Sequence, residues 1–129
     1  MTPDQDIAAR MQAHPAMAGV QVLVLHGSRA RRDGGPASDW DFGVLTDGST
    51  DLAGLSAALT SVLGTDAVDL VDLRRASALL RYRAARDGVV LVERREGAFR
   101  EFQLEAVHFW CDAGPVIRAA QNDVLAALG

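Results

Sequence analysis

Two aliphatic runs, VQVLVLH at 20–26 and WDFGVLT at 40–46, flank a stretch that cannot be strand, GSRARRDGGPASD at 27–39. This arrangement constrains the fold more than any other feature of the chain. Each run is short, rich in aliphatic or β-branched residues and bounded by turn residues, so each reads as a buried strand. The first ends at Gly27 and the second is closed by Asp47-Gly48. Residues 28–32 fit a brief helical turn, and DGGP at 33–36 fits only a loop.

The rest of the chain alternates in the same way. Ile7, Ala8 and Met11 predict a helix over 4–13, with Pro3 suited to its start and Pro15 to its stop. Leu52, Leu55, Leu59, Val62 and Leu63 predict a helix over 50–63, capped by Gly64. AVDLVDL at 67–73 is a third strand, 76–86 a helix ending at Asp87-Gly88, and VVLVE at 89–93 a fourth strand. From 97 to 128 the pattern is helical, with a break expected at Gly114-Pro115. Strands interleaved with helices give the α/β (α+β) class, a small mixed sheet of about four strands with helices packed on it. A length of 129 residues suits one domain, its core at 19–93 and C-terminal helices at 97–128.

Composition narrows the function. The net charge of −4 argues against a general nucleic-acid binder, which needs a basic face. All 13 basic residues are arginine. A single cysteine, Cys111, excludes an intrachain disulfide and fits a reducing compartment. No leader pattern stands at the N-terminus and no apolar run approaches the roughly 18 residues of a spanning helix. A cytoplasmic protein that does not engage a membrane is expected.

The chemistry concentrates around Asp39 and Asp41. Side chains alternate along a strand, so these two share a face while Trp40 and Phe42 take the other. Two ionised carboxylates about 7 Å apart repel each other. A divalent cation turns that repulsion into binding, and Mg²⁺ prefers one or two carboxylates together with substrate phosphates. On the next strand Asp69 and Asp72 lie on opposite faces, so only one can join the pair. Asp69, between Val68 and Leu70, is the third carboxylate; Asp72, near Arg74 and Arg75, fits a solvated charge. Gly27 allows close backbone approach, Ser28 offers its hydroxyl and N–H, and Arg29, Arg31 and Arg32 make the loop positive. Carboxylates for a cation, facing donors for phosphates, form a site for a metal-bound nucleoside triphosphate.

The stretch GSRARRDGGPASDWD resembles the minimal nucleotidyltransferases, small members of the DNA polymerase beta-like superfamily. They share a Gly-Ser pair, ten residues and Asp-x-Asp, with a third acid on a following strand, as Asp69 stands in AVDLV. The stretch GVVLVERREGAFREFQLEAV resembles the strand-then-long-helix ending of the antitoxin subgroup, which pairs with HEPN-domain ribonuclease toxins. The resemblance implies the polymerase beta-like fold and a two-Mg²⁺ transfer of AMP from ATP, with Mn²⁺ as a substitute. The implied acceptor is a tyrosine hydroxyl of a HEPN toxin partner, which the modification silences. Asp39, Asp41 and Asp69 are then the catalytic and metal-binding residues, and Gly27, Ser28 and Arg31 the nucleotide-binding ones. Two positions depart from the pattern: Arg32 stands where the family often has glycine, and Trp40 replaces a smaller aliphatic.

Other readings remain open on the sequence. One is AMP transfer to a small hydroxylated molecule, as in antibiotic-modifying relatives; another is an antitoxin that neutralises its partner by binding alone. His26 is expected to be a packed, hydrogen-bonded histidine, with a substrate contact as the other reading, and His14 and His108 are expected to be uninvolved. Cys111 is expected as a small core residue, and Phe99, Phe102, Phe109 and Trp110 as helix packing.

Overall fold

In a computed structural model, which describes residues 2–35 and 38–128 with side chains through residue 113 and at 126, four strands and five α-helices form one mixed sheet covered on both faces. Pro36, the last residue of the expected DGGP loop, lies outside the described residues. Helix α1 spans Pro3–Gln12 and opens on a capping box, Thr2 and Gln5 exchanging backbone-to-side-chain bonds of 2.9 and 3.1 Å. Strand β1 (Val20–His26) runs into a short helix α2 (Gly27–Arg31), and β2 (Trp40–Thr46) follows the loop. Helix α3 (Leu52–Leu63) is capped by Asp51, whose carboxylate accepts from the Gly54 N–H at 3.1 Å, and ends on Gly64 in the left-handed conformation. Then come β3 (Val68–Asp72), α4 (Ala78–Asp87), β4 (Val89–Glu93) and α5 (Ala98–Leu128).

The strand order is β3-β2-β1-β4. Strand β1 pairs antiparallel with both β2 and β4, while β2 and β3 run parallel. Alternation along the strands splits the apolar side chains into two clusters. Leu23, Leu25, Phe42 and Val44 meet Ile7 and Met11 of α1 and Leu55 and Leu59 of α3. Val22, Val24 and Leu45 meet Ala84 and Ala85 of α4 and Phe99 and Phe102 of α5 on the other face.

The long C-terminal segment differs from expectation. Helix α5 continues through Gly114-Pro115 instead of breaking there. A proline inside a helix removes one backbone bond, and the helix-forming pattern on both sides outlasts that loss. Cys111 is exposed rather than packed in the core. Phe99 and Phe102 are buried as expected, and Trp110 stacks on Tyr82 with centroids 5.2 Å apart. Phe109 is 40% exposed, with the Arg81 guanidinium 4.6 Å above its ring. Among the described residues no helix is long and apolar enough to cross a membrane.

Candidate active site

The site forms where β1 ends, because the chain there must turn sharply against the neighbouring strand. Gly27 follows β1 with φ +72°, a conformation that disfavours any side chain. A Cβ at this position would collide with the Asp41 carboxylate. Glycine therefore serves two needs at once, the turn and the seating of Asp41.

Asp41 is half-buried near the start of β2, level with His26 of β1 on one side and with Asp69 of β3 on the other. Residues level with one another in adjacent strands share a face, so His26, Asp41 and Asp69 form a row across the sheet. Asp69 is exposed, being the second residue of an edge strand. Asp39 immediately precedes β2 and is exposed. Asp72 faces away and accepts from the Arg74 N–H at 3.1 Å, capping the turn after β3.

The electrostatics follow from this crowding. Burial raises the Asp41 carboxyl above its ordinary 3.8; the neighbouring Asp69 and Asp39 charges push the same way, while His26 and Arg31 oppose them. A cation beside Asp41 relieves both the burial and the repulsion. Among the described residues no three His, Cys, Asp or Glu side chains form a ready-made metal cage. Mg²⁺ needs less, since one or two carboxylates suffice when phosphates supply the remaining oxygens. The oxygen donors of Asp39, Asp41 and Asp69 suit that ion, and the missing Cβ at Gly27 keeps the space against Asp41 open.

A cleft of about 390 Å³ opens over this row, lined by His26, Gly27, Ser28, Arg31, Asp41, Asp69, Leu80 and Arg83. The sequence reading placed Gly27, Ser28, Arg31, Asp41 and Asp69 at a common site, and all five line the cleft; Asp39 does not. The loop folds back on Ser28: the Asp33 N–H donates to the Ser28 carbonyl at 3.1 Å, and a Cβ at Gly34 would lie 2.7 Å from the Ser28 Oγ. Arg31 is held at the rim by Asp33, 3.1 Å away. Arg29 has a different task. Its Nε and a terminal nitrogen donate to the Ser38 carbonyl at 3.0 and 2.8 Å, and its guanidinium lies 4.1 Å from the Trp40 ring centroid, stapling the loop to β2. Trp40 stacks in turn on Phe42, 6.3 Å away. Arg32 ends α2 with φ 61°, the single non-glycine residue at positive φ among those described.

Arg83 and Leu80 were missed by sequence reasoning. They stand three apart on α4, hence on one helix face, but only the docking of α4 beside α2 brings that face to the cleft.

Comparison with known proteins agrees with this geometry. The chain is 36% identical over 98 residues to the protein adenylyltransferase MntA of Aphanizomenon flos-aquae (strain 2012/KM1/D3), a match that covers 65% of this chain and 64% of that relative's own length. Among solved structures, a toxin–antitoxin with AMP-PNP is similar over 96% of this chain and 99% of the matched chain, with a TM-score of 0.75 and 26% identity. The fold is also shared with a complex of tri-AMPylated Shewanella oneidensis HEPN toxin and MNT antitoxin, at a TM-score of 0.73 and 24% identity over 95% of this chain and 98% of that one. Residues 5–97 match the family model described as Polymerase beta, Nucleotidyltransferase, and the chain belongs to that family.

Proposed function

We propose that this protein transfers AMP from ATP to a tyrosine hydroxyl of a HEPN-domain toxin and so acts as its antitoxin. The observation that carries the reading is the level pairing of Asp41 with Asp69 beneath a cleft that also holds Ser28 and Arg31. The curated relative is named a protein adenylyltransferase, and a solved neighbour is a toxin–antitoxin with the ATP analogue AMP-PNP. A cytoplasmic setting is part of the proposal.

Asp39, Asp41 and Asp69 would hold Mg²⁺, which supplies charge neutralisation for the triphosphate and acidifies the acceptor hydroxyl. Ser28 donates its hydroxyl to the triphosphate tail, and Arg31 and Arg83 balance its charge. Asp69, exposed on the edge strand, takes the proton from the tyrosine hydroxyl. The phenolic oxygen then forms its bond to the α-phosphorus as the α–β bridging bond breaks, and pyrophosphate leaves with the electron pair. Gly27 keeps Asp41 seated throughout, because no side chain intrudes between the turn and the carboxylate.

The test is incubation with α-labelled ATP and Mg²⁺, with and without the neighbouring gene's product. Label on that product, lost in Asp41→Ala, is expected. Label on a small molecule would support the antibiotic-modifying alternative, and a tight unlabelled complex would support neutralisation by binding alone.

A further inference from the structure

One polar atom beneath the cleft has no partner within the protein. His26 is 6% exposed, and its Nε2 is buried without a hydrogen bond. Nε2 being the unpartnered nitrogen, the bond with the Phe42 backbone that favours the protonated ring falls to the other one. With that proton donated to a carbonyl, Nε2 carries the lone pair and is an acceptor. His26 is level with Asp41, lines the same cleft, and immediately precedes Gly27.

A buried acceptor without a donor is a cost that a packed histidine avoids. Simple volume filling leaves the cost unexplained, since a phenyl ring fills such a space without it. Direct ligation of Mg²⁺ by Nε2 is disfavoured, because that ion prefers oxygen and keeps several of its waters. Those waters are strong donors and need acceptors. We propose that His26 is a positioning residue whose Nε2 accepts a hydrogen bond from a water on the cation held by Asp41, fixing both the water and the carboxylate. The proposal rests on the nucleotidyl-transfer reading above and adds to it a residue outside the three carboxylates.

The experiment measures Mn²⁺ affinity of the full chain in the presence of AMP-PNP, alongside thermal unfolding without metal. His26→Phe keeps an aromatic ring but removes the acceptor. His26→Asn keeps a donor near the Phe42 carbonyl without reaching the Nε2 position, whereas His26→Gln reaches it with an amide oxygen. Loss of a partner outside the metal's own ligands typically weakens metal binding about 10–100-fold. Accordingly, H26F and H26N should bind Mn²⁺ about tenfold more weakly or worse, with H26Q recovering most of the loss and H26F melting no lower than the parent. Binding by H26F within twofold of the parent overturns the proposal, as does equal weakening of H26N and H26Q. Absence of Mn²⁺ binding in the parent itself, in a protein that still melts cooperatively, would instead overturn the underlying transfer reading.

Discussion

Asp41 of β2 stands level with Asp69 of β3 in parallel register. The pairing joins two carboxylates that are 28 positions apart in sequence, one half-buried and one exposed. Their environments push them toward different tasks. Burial and neighbouring charge make Asp41 a reluctant anion, while Asp69 lies exposed to solvent, where the proposed acceptor hydroxyl can reach it.

The Gly27 turn should tolerate no side chain. Gly27→Ala places a Cβ at φ +72° and against the Asp41 carboxylate. The left-handed backbone alone costs about 1–2 kcal/mol, and displacement of Asp41 should lower AMP transfer by at least about 100-fold, the order lost when reacting groups shift by 1 Å. Denaturant titration and label transfer measure the two effects separately; an active, fully stable variant would contradict the seating role.

Arg32 should be a stability defect. It holds φ 61° at the end of α2, where a glycine relieves the strain. Its side chain is 77% exposed and its nearest acidic partner, Asp4, is 3.9 Å away, a contact worth little. Arg32→Gly should therefore raise the unfolding free energy by about 1 kcal/mol, seen as a higher urea midpoint.

The fold and site were unevenly legible in the sequence. Strands 20–26 and 40–46 have the expected bounds because turn residues stop them on both sides. The third strand is shorter than 67–73, since Leu73 leaves it for a short turn that packs over Gly43. Asp-x-Asp and Gly-Ser were visible because their chemistry is local. Arg83 was not, because a solvent-facing arginine on a helix carries no sign of which strand end the helix will flank. The family resemblance singled out Arg31, but the residues alone did not separate Arg29, a loop staple, from Arg31, a cleft residue. Two positions of difference on a short helix decide that, and only the docked loop shows it.

Arg83 should act on nucleotide binding rather than on chemistry. It lines the cleft from α4 beside Ser28 and Arg31. A charge-assisted hydrogen bond to phosphate contributes about 1.5–3 kcal/mol, so Arg83→Ala should raise the KM for ATP by about tenfold or more while kcat changes little. A fall in kcat at unchanged KM would place Arg83 elsewhere in the reaction.

Acidification should act through His26 and Asp41 in opposite senses. Burial lowers the His26 imidazole from its ordinary 6.5, against weaker opposing pulls from Asp41, the Phe42 backbone and Asp69. A depressed imidazole stabilises the fold above pH 6.5, and that contribution is lost as pH falls through 6.5 toward the folded value, because the unfolded chain binds the proton first. The raised Asp41 does the reverse, stabilising the metal-free fold below 3.8 and ceasing to do so as pH rises through its folded value. Urea midpoints of the metal-free protein should decline below pH 6.5, and H26F should flatten that decline.

The most direct measurement is label transfer from α-labelled ATP to the proposed HEPN-domain partner by Asp69→Asn, with ATP binding followed in parallel. ATP binding should stay within a few-fold of the parent and labelling should fall by at least about 100-fold, within the range a positioned proton acceptor contributes. Labelling at the parent's rate by a protein lacking the Asp69 carboxylate would contradict that role.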